Sequence, residues 1–107
     1  MNEQVYIVYL EDLKNRVFKI LPLCEEKNPH ILTYLENLAT ELKGLPKVYP
    51  EVLDTEIAWY VKVASVIFSF YEDYTIHELH DKEAIKRIRR QVFNMINTIE
   101  KELEMVR

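Results

Sequence analysis

Apolar side chains recur every three or four residues along four segments of this chain, a spacing that places them on one face of a helix. In the first segment, about residues 3–21, Tyr6, Leu10, Leu13, Val17, Ile20 and Leu21 share a face. Pro22 follows them, and without a backbone N–H it ends or kinks the helix. The second segment, about residues 29–43, opens on Asn28-Pro29, a capping residue followed by proline at the first helical position. Ile31, Leu35, Leu38, Leu42 and Leu45 form its stripe, and Gly44 with Pro46 stops it. Gly44 is expected to close the helix in the left-handed conformation that glycine favours. The third segment, about residues 51–73, follows Pro50 and is rich in β-branched and aromatic residues. It runs too long without a turn signal for strands of about five or six residues, so it is predicted to be helical. The fourth, about residues 81–105, carries Ile85, Ile88, Val92, Met95, Ile99 and Val106 at that spacing, with Ile96 and Leu103 widening the stripe. Between the last two, Thr75-Ile76-His77-Glu78 has the Thr-x-x-Glu pattern of a capping box and predicts a short helical turn. The expected fold is all-α, an antiparallel up-and-down four-helix bundle forming one domain over residues 1–107.

The third segment is more apolar than one buried face requires. Apolar side chains cover well over half of its circumference, against the ~100° of a core-facing helix. Trp59, Val63 and Phe70 on this segment, with Ile7 and Phe18 off the main stripe of the first, are therefore candidates for contact with a protein partner. Self-association as a homodimer through the first or third helix is the expected assembly. Seven tyrosines are present; Tyr6, Tyr34, Tyr60 and Tyr71 lie on or near core stripes, where the ring is buried and the hydroxyl stays near water.

Composition narrows the function classes. Only one of the 107 residues is glycine, which removes phosphate-cradling loops and tight hairpins. A single cysteine excludes an internal disulfide and a multi-cysteine metal site. The formal charge is −4 and unevenly placed: residues 82–107 hold seven Lys/Arg against four Asp/Glu, and residues 1–81 hold seven against fourteen. An acidic total argues against general nucleic-acid binding. The basic run Lys82, Lys86, Arg87, Arg89 and Arg90 is where an anion or acidic partner would be recognised, with Lys82, Lys86, Arg87 and Arg90 as its contacts. No signal-peptide pattern or membrane-spanning stretch is found, and a cytoplasmic location is expected.

Candidate chemistry gathers only at residues 72–81, where His77 and His80 lie among several carboxylates. Asp73, His77, His80 and Asp81 are candidate metal ligands by type. Their spacing is not that of a zincin helix, and no Glu-x-x-His pair of a di-iron bundle occurs. Glu72 and Asp73 are expected to neutralise Lys82, Lys86 and Arg87 across the hairpin. Cys24, expected in a loop beside Glu25 and Glu26, is a poor nucleophile, and no serine, histidine and acid share a catalytic arrangement. No cofactor is implied. The reading is a non-enzymatic protein acting by protein–protein interaction, with a metal-binding hairpin as an alternative. In length, charge and helical plan the chain is similar in outline to bacteriocin immunity proteins, which supplies a second alternative; no residue motif carries that resemblance.

Overall fold

The computed structural model describes residues 3–48 and 59–107. All regular structure in these residues is helical: α1 (Glu3–Phe18), α2 (Ile20–Glu25), α3 (Ile31–Lys43), α4 (Leu45–Val48), α5 (Trp59–Asp73), α6 (Ile76–Leu79) and α7 (Lys82–Val106). No described helix is long and apolar enough to cross a membrane. The expected start of the third helix, residues 51–58, lies outside the described residues.

Pro22 acts one turn before its own position. A proline ring collides with the carbonyl four residues earlier, here that of Phe18, and α1 ends at Phe18. Lys19 keeps near-helical angles (φ −62°, ψ −16°), and its N–H still donates to the Asn15 carbonyl at 3.1 Å. The predicted first helix is thus two helices, divided at Lys19.

The end of α2 carries a Schellman motif: Asn28 N–H reaches the Leu23 carbonyl at 3.0 Å and Lys27 N–H the Cys24 carbonyl at 3.2 Å. Its left-handed residue is Lys27 (φ 55°). Gly44, expected to play that part after α3, instead has φ −87° and right-handed geometry. Its backbone can continue into α4, so no reversal of hand is needed there. A methyl group at Gly44 would meet the Glu41 and Thr40 carbonyls at 3.7 Å, an ordinary contact. Two opposite substitutions follow from this exchange of roles. Lys27→Gly is expected to gain about 1 kcal/mol by relieving the left-handed strain. Gly44→Ala is expected to gain about 0.5–1 kcal/mol by restricting the unfolded chain. Urea unfolding midpoints check both, and a loss in either variant contradicts the assigned backbone.

Asn28 does not cap a helix beginning at residue 29. Its side chain accepts from His30 N–H at 2.8 Å, an Asx turn, and α3 begins at Ile31. Further along, Thr75 and Glu78 form the predicted capping box of α6, and Asp81 caps α7 by accepting from Glu83 and Ala84 N–H.

The contacts between α1 and α7 run antiparallel. Along α1 and α7, Tyr6 meets Glu102, Lys14 meets Glu100 and Phe18 meets Phe93. α3 lies against α5, where Lys43 sits over the Phe68 ring at 4.6 Å. α5 and α2 also pack on α7. One apolar cluster joins these elements, and it contains all the residues expected on the α1–α2 and α3 stripes, from Tyr6 to Leu45.

The apolar excess of α5 is covered from within the chain. Trp59, Val63, Ile67 and Phe70 are buried, and Tyr60, Val66 and Tyr71 pack half-buried against the same cluster. Val61 is the α5 side chain among the large apolar residues that stays exposed. With α3 on one side and α7 on another, a wide apolar arc is what a helix in this position needs.

Candidate functional site

The candidate ligands of the hairpin between α5 and α7 do not converge among the described residues. Asp81 Oδ2 accepts from Glu83 and Ala84 N–H at 3.0 and 3.2 Å, so the cap occupies that carboxylate. His80 Nδ1 lies 3.1 Å from the Cys24 carbonyl; a carbonyl only accepts, so Nδ1 carries the proton and ties the hairpin to α2. His77 and Asp73 are exposed. Among the described residues no group of three or more metal-ligating side chains converges.

The expected neutralisation across this hairpin does not occur either. Lys86 pairs with Glu83 on its own helix at 3.4 Å and Arg89 with Glu25 of α2 at 2.6 Å. No ion pair among the described residues joins Glu72 or Asp73 to α7. The inserted turn of α6 separates the two helix ends. Cys24, expected in a loop, is buried in α2. Burial, and then the charge of Glu25, pushes its thiol up to about 11, which leaves little thiolate near neutral pH.

Two sets of candidate residues meet on the surface shared by α1 and α7. Phe18 closes α1 with 49% of its surface exposed and stacks edge-to-face on Phe93 of α7, 44% exposed, with ring centroids 6.2 Å apart. Phe93 follows Arg90 by three residues, Arg89 by four and Lys86 by seven, so all four share a helix face. Lys82, Arg87 and Arg90 are exposed and form no ion pair among the described residues; Lys82 and Arg90 lie on the Phe93 side of α7, and Arg87 lies on the α5 side, in line with Gln91 and Asn94 of the groove there. The remaining candidates lie elsewhere: Ile7 is half-buried against the core, and Trp59, Val63 and Phe70 are inside it. The burial of those three corrects their expected place on a partner-facing surface, since α3 and α7 already cover them. Phe93 escaped the periodicity reading because it falls off the Ile88, Val92 and Met95 stripe. The signal available was an aromatic ring among cations on the polar face.

Two polar networks fix the helices beneath this surface. In the core, Tyr6 O–H donates to Glu102 Oε2 at 2.8 Å and accepts from Trp59 Nε1–H at 3.0 Å. Burial first, then the Glu102 carboxylate, pushes the phenol well above its ordinary range. On the other flank of α1, Arg16 makes a two-pronged contact with Glu41 at 3.1 and 2.8 Å. Its Nε lies 2.9 Å from Asp12, and Tyr9 O–H donates to the same Glu41 at 2.7 Å. Tyr34 O–H adds a bond to the Arg16 carbonyl at 2.6 Å.

Burial acts most strongly on Glu41 and pushes its carboxyl up, but the Arg16 and Tyr9 hydrogen bonds and the Arg16 charge together bring it below its ordinary 4.5. A carboxyl lowered in the folded state binds protons more weakly there than in the unfolded chain. The stability it contributes is therefore complete above about pH 4.5 and is lost as pH falls through the folded value. Glu41→Gln is expected to be less stable than the parent at pH 6, with the gap closing toward pH 3. Thermal unfolding across that range checks this, and a gap independent of pH contradicts it.

An open groove of about 180 Å³ lies between α5 and α7, with Val63, Val66 and Met95 on its apolar part and Lys62, Gln91, Asn94 and Thr98 around them. Among the described residues Lys62 is its one charged lining residue, and no second ionisable group of theirs stands there to do acid–base work. Comparison of the chain with protein-family models, with curated proteins and with solved structures finds no match.

Proposed function

We propose that this chain is a non-enzymatic four-helix bundle that acts by binding another protein through the α1–α7 face around Phe18 and Phe93. The observation that carries the reading is the exposed aromatic pair set among the exposed cations Lys86, Arg89 and Arg90, of which Arg90 has no ion pair among the described residues. Interfaces concentrate aromatic and arginine anchors in such positions. The antiparallel contacts of α1 with α7 support the bundle, with α1, α3, α5 and α7 as its long members. A bacteriocin-immunity-like role is one form such a binding bundle could take.

The same face speaks against the homodimer as its main use. A two-fold contact places a patch against itself, which would bring Lys86, Arg89 and Arg90 close to their own copies. Like charges brought together in an interface oppose association. The apolar residues expected to drive a dimer through α5, namely Trp59, Val63 and Phe70, are enclosed. A different molecule suits the face better.

Position-specific photo-cross-linking tests this function. A benzophenone side chain introduced at Phe93 or Phe18 is expected to give discrete protein adducts in cells, and the same group at exposed Val61 is expected to give none. Equal adducts from all three positions, or none from Phe18 and Phe93, would falsify the assignment.

A further inference from the structure

Resting on the binding role just proposed, we infer that the occupant of the α1–α7 face is a short acidic protein segment, carrying carboxylates at helical spacing and an apolar side chain. The cations define its charge. Lys82 and Arg90, on the Phe93 side of α7, are exposed and unpaired among the described residues. The neighbouring pairs Lys86–Glu83 and Arg89–Glu25 are themselves exposed, at 74%/74% and 54%/47%. Exposed pairs contribute only about 0–1 kcal/mol, so a partner's carboxylates can take their place.

The ring pair defines the apolar contact. Phe18 and Phe93 show each other an edge and a face and leave about half their surface to solvent, room for one aliphatic or aromatic side chain. From Lys82 to Phe93 the face is about three turns of helix, roughly 17 Å at 1.5 Å per residue. A segment of similar length covers it.

The rest of the chain limits the occupant's size. Residues 1–81 carry seven more acidic than basic groups, and the short dimensions of the molecule are 22 and 21 Å. Charges are screened over about 8 Å at physiological ionic strength, so an anion confined to this face meets net attraction, Lys82, Lys86, Arg89 and Arg90 outnumbering Glu25 and Glu83. A long nucleic acid or a flat anionic membrane extends past that face and meets the acidic remainder. A second copy of this chain offers the wrong charge at the contact, as argued above.

The test uses a fluorescent helical peptide of about fifteen residues, with glutamates four apart and one leucine. Its counterpart carries glutamine in place of glutamate; a short oligothymidine and phosphatidylserine vesicles complete the set. The acidic peptide is expected to bind the intact chain, and the glutamine peptide to bind at least roughly tenfold more weakly. The double charge reversal Lys82→Glu/Arg90→Glu, and a rise in salt, are each expected to weaken acidic-peptide binding by roughly tenfold. Phe93→Ser is expected to weaken it while leaving the helical circular dichroism of the chain unchanged. Equal binding of the two peptides, tighter binding of the oligonucleotide or vesicles, or no peptide binding would each overturn the inference. Cross-links from Phe93 that persist when the peptide fails to bind would leave the protein-binding role standing and remove only the acidic partner.

Discussion

Replacing Phe70 by alanine is expected to lower the unfolding free energy by about 3–5 kcal/mol, the range for removing a large aromatic side chain from a packed core. Phe70 has no exposed surface and belongs to the cluster that joins α1, α3, α5 and α7. Its ring has no solvent-facing space into which neighbours can relax, so the substitution leaves a cavity. Small domains are stable by only about 5–15 kcal/mol, which makes this a large fraction of the total. Urea unfolding followed by circular dichroism measures it. A loss below about 1 kcal/mol would mean that Phe70 faces a partner and not the core, since exposed sites rarely contribute more.

Tyr6→Phe is expected to cost about 2–4 kcal/mol although it removes a single oxygen. That hydroxyl serves two buried groups, accepting from Trp59 Nε1–H and donating to Glu102. Each buried polar group left without a partner costs about 1–3 kcal/mol. No cation pairs with Glu102 among the described residues, and the residue is 6% exposed, so its carboxylate has little alternative solvation. The companion variant Tyr6→Phe/Glu102→Met removes donor and acceptor together. It is expected to recover much of the loss, because an apolar pair needs no hydrogen bond. Denaturation midpoints of the two variants decide the matter. A double variant as unstable as the single one would show that the hydrogen bond is not what Tyr6 contributes.

The helical fold was legible in the sequence wherever periodicity alone decides. Tyr6, Leu10, Leu13 and Val17, and likewise Ile31, Leu35, Leu38 and Leu42, are buried where their spacing placed them. The capping box at Thr75 and Glu78 formed because both partners lie within one turn. Features that depend on a second element were not legible. Whether the apolar arc of α5 meets solvent or neighbours depends on α3 and α7, which one helix's own pattern cannot report. The left-handed residue fell on Lys27, where the Schellman bonds reverse the chain after α2, and not on Gly44, whose right-handed backbone runs on into α4.

The candidate site was half visible. The cations of α7 and Phe18 could be named separately from composition and wheel position. That they share a face depends on the antiparallel register of α1 and α7, which sets Phe18 against Phe93. The buried trio of Tyr6, Trp59 and Glu102 was equally hidden, since Glu102 reads as one more surface acid on a charged helix. Tyr6 and Glu102 are 96 positions apart in the chain.

Hydroxyl-radical footprinting of the free protein reads side-chain exposure residue by residue, and with it the division between enclosed and presented aromatics. Phe18 and Phe93 are expected to oxidise readily, while Trp59, Phe70 and Tyr6 stay protected until the chain unfolds. Fast oxidation of Trp59 and Phe70 with protection of Phe18 and Phe93 would place the working surface on α5 and contradict the interaction face described for α1 and α7.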